Sequence, residues 1–501
     1  MHYQHTTHNR NTLPFFFTLA ILSGILFFSA CNDNSFSTNP AYKLSFSADT
    51  VSFDTVFTNI GSATTIMKVY NPNKEKVKIS SIALEKGGVS SFRVNVDGAA
   101  GSDNRFFDME INAKDSLFIF ISVKINPNNA SSPVIEEDAI KFITNGNEQK
   151  VRLEAYGQDV EILRNHIIYS DSTLTADKPY LIYGYLAVDS ARTLTLPAGC
   201  RLYFYNEAYM IVYGNLHALG THEQPITMRG HRRDNISFIP PVPYNYIAGQ
   251  WDGIYLYGKE GKHIFRHVNM NSGSIGIHLL EEDMNSPKRP KLEVTNCRVH
   301  NFMYYGLVAQ NSDITVINTE ISNAGVHCVY LNGGKHSFIH CTISNYFSGG
   351  YQPVSRKGGP SVMIMDLGRI APMETYFYNS VVMGNVENEF GLVTQFPKQY
   401  KGAFTHSYIR QKQDTAEVAQ YSNIRWYERN DTVFRQPYYD IEEQTYFDFI
   451  PDSVSPLRGL ADPEITTRYK LEIDLRGNHR MIDGRPDAGA YQWQESLSAP
   501  L

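Results

Sequence analysis

Cleaving a glycosidic bond needs two carboxylates a few ångströms apart, and holding a sugar needs aromatic faces beside hydrogen-bonding groups. In this 501-residue chain the acids in irregular stretches that could serve are Asp283, Asp366 and Glu374, the candidate catalytic groups. The candidate binding residues are Tyr244, Tyr246 and Trp251, which follow the run Pro240-Pro241-Val242-Pro243, together with Tyr346, Tyr351 and Arg356. Each has a structural reading beside the functional one. Trp251 suits a core as well as a sugar platform, Tyr244 and Tyr246 can pack locally beside their prolines, and Asp366 with Arg369 suits a structural contact. Glu281, Glu282 and Asp283 beside Lys288 and Arg289 read as a solvated loop. Serine-nucleophile, phosphate-loop and zinc-protease signatures are absent. No CxxC spacing occurs, so no metal site is expected.

These candidates interrupt a repeat, and the repeat says what must position them. The segments 265–270, 294–299, 316–321, 338–343, 377–382 and 404–409 each open on Phe or Val, carry Asn or His third and close on an apolar residue. The third-position residues are His267, Asn296, Asn318, His340, Asn379 and His406. Asn296 to Asn318 and Asn318 to His340 are each 22 residues apart, one coil of a solenoid of short strands. Asn suits a repeated corner because it tolerates left-handed backbone and can hydrogen-bond its counterpart on the next coil. His and Asn exchange freely along this ladder, so all six are read as structural rungs. Insertions appear as breaks in the period: His267 to Asn296 is 29 residues and His340 to Asn379 is 39. A third lies between His231 and Gln250, and the candidate residues fall in or beside these three.

A second strand completes each coil, as in Gly276-Ile277-His278-Leu279 and Cys328-Val329-Tyr330-Leu331. This resembles right-handed parallel β-helix repeats, the fold of pectate lyases and many surface carbohydrate proteins. The opening segments Leu194–Gly199, Met210–Gly220 and Trp251–Ile254, and the closing Ser455–Asp462, Asp474–Arg480 and Asp487–Tyr491, support the resemblance. In the tail, Asp and Arg residues are read as cap ion pairs. The resemblance implies binding between loops on one face. For a lyase it implies acidic calcium ligands on adjacent rungs with an Arg or Lys as base. The aligned rungs offer Glu320 and little else, so Ca2+ enters only under a lyase alternative and no other cofactor is expected.

Residues 43–160 alternate in short runs, among them Thr65–Tyr70, Phe92–Val96 and Leu117–Val123, separated by turns such as Asn145-Gly146-Asn147. Seven such strands resemble an immunoglobulin-like module of the kind found in bacterial envelope and cilium-associated proteins. Ahead of it, Leu13 to Phe28 is a sixteen-residue apolar run, a signal-peptide core rather than a span. Phe28-Ser29-Ala30-Cys31 resembles the lipobox of bacterial lipoproteins, which implies lipidation at Cys31. Asn32 in place of Asp implies sorting to the outer membrane.

The whole is expected to be an all-β chain: signal peptide 1–30, linker 31–42, Ig-like β-sandwich 43–160, and right-handed parallel β-helix with a C-terminal cap over 161–495. Its 42% hydrophobic and 13% aromatic residues exclude disorder. With 45 Lys+Arg against 51 Asp+Glu and no basic run, no nucleic-acid partner is expected. Cys297 and Cys341 stand two rungs apart in one column, roughly 9.6 Å, beyond disulfide reach. The expected function is a lipid-anchored outer-membrane protein, on either side of that membrane, whose β-helix binds a polysaccharide or an envelope protein without chemistry. The alternatives are a polysaccharide lyase or glycoside hydrolase, and an adhesive or structural scaffold.

Overall fold

The structure, a computed structural model, describes residues 36–495 apart from 129–132, 237–240, 259, 282–287, 348–351, 353–354, 367–372, 396, 398, 413–419, 441–442, 444–445 and 482–483. The signal segment, Cys31, Asp283, Tyr351 and Arg369 lie outside the described residues. The described chain forms two compact units, 36–52 with 62–123 and 136–154, and 53–61 with 124–135 and 155–495. No helix among the described residues is long and apolar enough to cross a membrane.

Two antiparallel five-stranded sheets build the first unit. In Ser116–Val123 the residues Leu117, Ile119, Ile121 and Val123 are buried while Phe118 stays 37% exposed, the period-two alternation of a sheet with one wet face. The ten strands exceed the seven expected from sequence. One that alternation does not reveal is Arg105–Ile111, where Asp108 adopts a φ of 57°. That residue slips the phase by one, so Phe106 and Ile111 both point inward although they are five residues apart.

The second unit is a 26-stranded, all-parallel sheet wound into a β-helix with three faces. One coil shows the order: Val268–Asn271 lies on face one, Ile275–Leu280 on face two and Lys291–Thr295 on face three, after which Asn296 turns the chain into Arg298–Phe302 on face one again. In Tyr305–Ile317 faces two and three run on as one strand, bent at Asn311 with a φ of 43°. Inward side chains stack by register. Met270, Val299, Ile321, Ile343, Val382 and Ile409 form one buried column. On face three Phe338, Phe377 and Phe404 stack with centroids 4.7 and 4.5 Å apart and rings parallel within 6°. That is the spacing of neighbouring strands, so the backbone sets each ring at stacking distance.

The corner explains the Asn/His alternation. His267, Asn296, Asn318, His340, Asn379 and His406 all have φ between 46° and 55°. Asn318 Nδ2 donates to Asn296 Oδ1 at 2.8 Å, and the amides of Asn296, Asn379 and Asn423 meet the Nε2 atoms of His267, His340 and His406 at 3.0, 3.0 and 2.8 Å. An imidazole nitrogen accepts where an amide oxygen would, so His fits the rung. The next residue is small for an equally specific reason. The hydroxyls of Thr319, Ser380 and Ser407 donate to the carbonyl two residues back and accept the backbone N–H of the preceding coil at 3.0–3.2 Å. Cys297 accepts the Val268 N–H in the same way at 3.4 Å. Cys200, Cys297, Cys328 and Cys341 are buried and unpaired.

The tail partly departs from an ion-paired cap. Arg476 stands 3.8 Å from Asp448, but Arg480, fully buried, donates to Asn318 Oδ1 at 2.6 Å, and Asp474 accepts turn N–H groups at Arg476 and Asn478. The segment binds the corner ladder through Arg480, whose charge is also attracted by the Asp474 and Asp487 carboxylates.

Candidate functional site

Face two presents aromatic residues at its outward positions. Tyr185 pairs in register with Tyr209, and Tyr255 with His278, followed rung by rung by Val308 and Tyr330. Tyr305 pairs with His327 beside them. The rings are half-buried, Val308 between them is buried, and Tyr213, next to Tyr257, is 50% exposed. The rings form a continuous series: Tyr185–Tyr209 6.0 Å, Tyr209–Tyr255 6.1 Å, Tyr255–Tyr257 6.4 Å, Tyr213–Tyr257 6.0 Å and Tyr255–His278 5.8 Å. A second group joins Tyr305, His327 and Tyr330 at 5.9–6.2 Å. From Tyr255 to Tyr330 is three rungs, roughly 14 Å.

Strand alternation puts these rings outward, and glycines keep the adjoining floor low. At Gly253 and Gly276 an added Cβ would lie 2.3 and 2.2 Å from the carbonyl oxygens of Ile275 and Gly306 on the next rung, so no side chain fits. Polar groups adjoin the rings. Burial, then the Asp252 carboxylate, pushes the Tyr255 phenol above its ordinary value. Burial, then Tyr305, raises Tyr330, and burial lowers His278, so at neutral pH both tyrosines are protonated donors and His278 is neutral. His327 Nδ1 donates to the Pro360 carbonyl at 2.7 Å, leaving Nε2 as an acceptor. His278 Nδ1 and Asn332 Oδ1 are buried atoms with no hydrogen-bond partner among the described residues. Aromatic faces flanked by donors and acceptors are what a pyranose requires, with apolar C–H faces against rings and hydroxyls at the edges.

The residues singled out from sequence are dispersed. Trp251 is 1% exposed, stacks on Phe204 at 4.2 Å and donates through Nε1 to the Asn271 carbonyl. Tyr346 is buried between Tyr438 and Phe449. Tyr244 lies against the Arg232 guanidinium at 4.1 Å, and Tyr246 stacks on Tyr446 at 4.1 Å with rings 5° from parallel. Arg356 makes a buried two-point ion pair with Glu389, at 2.5 and 3.1 Å, which also accepts from Ser361; together they pin the insertion before residue 362. Asp366 is buried and accepts from Thr394 Oγ1 at 2.8 Å at the end of a face-two strand. Glu374 opens a face-three strand between Lys335 at 3.4 Å and Lys401 at 3.6 Å. Asp366, at the end of face two, and Glu374, at the start of face three, flank one corner: their register partners on the preceding coil are two residues apart, and each carboxylate is engaged separately, by Thr394 and by the two lysines. Among the described residues no three His, Cys, Asp or Glu side chains gather as a metal site.

The face-two tyrosines are hidden in the sequence because they sit inside regular strands and leave the period unbroken. The signal that could find them is Tyr at alternate positions, as in Tyr255-Leu256-Tyr257.

No family model matches the chain and no curated protein matches it. Among solved structures, a family 123 glycoside hydrolase from Clostridium perfringens, described for glycolipid glycan hydrolysis, aligns at 10% identity over 25% of this chain and 30% of its own, with a TM-score of 0.16. The ASH/PapD-like domain of human CEP192 aligns at 13% identity over 26% of this chain and 95% of its own, with a TM-score of 0.16. The periplasmic chaperone SfaE aligns at 14% identity over 23% and 57%, with a TM-score of 0.17. The chain thus spans under a third of the hydrolase and just over half of SfaE, and these similarities carry no functional argument.

Proposed function

We propose that this is a lipid-anchored protein of the bacterial outer membrane, with an immunoglobulin-like spacer and a β-helix that binds a polysaccharide along face two without cleaving it. The observation that carries the reading is the outward series of tyrosines, one to three rungs apart, with hydrogen-bonding atoms beside them. A saccharide lying along the helix axis would set its ring faces on Tyr209, Tyr255 and Tyr330 and its hydroxyls on Asp252, His278 and Asn332. The anchor rests on the apolar run before Cys31, and the spacer on the alternating runs of 43–160.

The test is a panel of acidic and neutral polysaccharides offered to the protein from Asn32 onward, with and without calcium, following unsaturated products, new reducing ends and retained binding together. Binding without product, weakened about tenfold by Tyr255→Ala or Tyr330→Ala, is the expected result. Turnover would replace this reading by the enzymatic one, and binding indifferent to both substitutions would remove face two from it. Labelled palmitate entering the wild-type chain but not Cys31→Ser tests the anchor.

A further inference from the structure

The faces of the β-helix differ in where they carry charge. On face three one outward row is charged on every coil, with Lys262, Lys291, Asp313, Lys335, Glu374 and Lys401 paired in register. Face two is the reverse. One outward row runs through Ile211, Tyr255, His278, Val308, Tyr330 and Met363, and its neighbour through Tyr257, Leu280, Gln310, Asn332, Met365 and Val393. Neither row contains Lys, Arg, Asp or Glu, although every member except Val308 keeps open surface. Outward positions of this solenoid therefore accept charge readily, and the lack of it is confined to the face that carries the tyrosines.

A carboxylate or sulfate pressed against half-buried rings loses hydration, and the loss is recovered only where a cation or several donors pair with it. The described residues of face two supply no such cation. Burial holds His278 and His327 below their ordinary value, so both are neutral at pH 7. Arg356, in the insertion ahead of Val362, is closed by its ion pair with Glu389. The Asp252 carboxylate beside the Tyr255 phenol adds repulsion toward an anion. Sugar hydroxyls meet no such cost, because the amides of Gln310 and Asn332 both donate and accept. We infer that face two selects uncharged polysaccharides and discriminates against polyanionic ones, an inference that rests on the glycan reading and names the class of glycan. Selectivity then comes from an unpaired charge imposed on the wrong ligand as much as from contacts offered to the right one.

The test uses the full chain in detergent and affinity electrophoresis through gels holding matched pairs: pullulan, galactomannan or hydroxyethyl cellulose, each against the carboxymethyl derivative of the same backbone. The neutral member of a retained pair is expected to bind about tenfold or more tightly than its carboxymethyl partner, and Tyr255→Ala to weaken it. Gln310→Lys, which sets a cation in the middle of the uncharged rows, is expected to strengthen the carboxymethyl member, with a gain that fades as salt is raised. Circular dichroism identifies variants that fail to fold, and Tyr330→Ala replaces Tyr255→Ala should that chain misfold. Equal or tighter binding of the carboxymethyl member, lost in the tyrosine variant, would overturn the selectivity and leave the glycan reading standing. The same holds if a folded Gln310→Lys chain gives the carboxymethyl member no gain. Retention of no pair, or retention indifferent to both tyrosine substitutions, would instead overturn the glycan reading of face two and this inference with it.

Discussion

Replacing Asn318 by Ala and by Gly separates the two contributions of the corner ladder. Asn318 is 2% exposed with a φ of 46°; Nδ2 donates to Asn296 at 2.8 Å, and Oδ1 accepts from buried Arg480 at 2.6 Å. Removing the amide forfeits about 1 kcal/mol for the neutral bond and about 1.5–3 kcal/mol for the bond to a charged donor. Arg480 already has two buried nitrogens, Nε and Nη1, without partners among the described residues, so the loss falls toward the upper end. Both substitutions suffer this. Alanine adds about 1–2 kcal/mol for left-handed backbone, which Gly avoids. Asn318→Ala is therefore expected to destabilise by about 4–6 kcal/mol and Asn318→Gly by about 3–4 kcal/mol. Urea unfolding followed by tryptophan fluorescence, to which buried Trp251 contributes, gives both values. If Gly proved as damaging as Ala, the backbone argument for Asn at the corner would be wrong.

The Phe stack, the buried ion pair, the thiols and a buried histidine give four further expectations. Phe377→Ala, opening the stack between Phe338 and Phe404, should lower stability by about 3–5 kcal/mol in urea melts, with Phe377→Leu recovering more than half. Glu389→Gln should lower it by about 3–5 kcal/mol, because Arg356 keeps its charge in a buried site; Arg356→Met combined with Glu389→Met should be milder than either alone. Burial pushes the Cys297 and Cys341 thiols up to about 12, so both should resist iodoacetamide at pH 8 in the native chain and react at once in urea. His263, 1% exposed, accepts the Leu216 N–H at 3.3 Å, and burial, then the His217 charge, holds it down at about 4. The unfolded chain takes up a proton below about 6.5 that the folded chain refuses. Stability should therefore be full above pH 6.5 and fall between pH 6.5 and 4, and His263→Asn should flatten that slope.

The ladder was legible because a solenoid asks the same local question on every coil. Asn296, Asn318 and His340 recur at 22 residues because each coil returns the chain to one left-handed corner, and a corner admits few residue types. The register of the Phe column followed from the same period. What the sequence hid is what coils do not share. Arg480 and Tyr491 reach the ladder and Glu320 from 162 and 171 residues away, and no local pattern announces such contacts. Trp251 and Tyr346 drew notice as aromatic residues beside insertions, yet both rings are buried, because an insertion must be anchored to its coil as well as displayed. Arg356 and Glu389 show the same logic with charge.

Outward positions on a β-helix are released from the demands of the inward columns, and that freedom discriminates between recognition and packing as the reason for the tyrosines of face two. A ring that only sealed the core would approach the burial of Phe377 or Phe404, whereas Tyr209, Tyr255 and Tyr330 keep open surface, and the Tyr209 and Tyr255 centroids stand 6.1 Å apart. Their removal should then be nearly silent in stability, within about 1 kcal/mol, while altering what the protein holds. Face one offers the opposite case: Glu320 is locked by Ser322, Tyr491 and the Arg298 ion pair, so its row resists substitution at that end. If Tyr255→Ala lost stability on the scale of Phe377→Ala, the series would be packing and the glycan reading would lose its support.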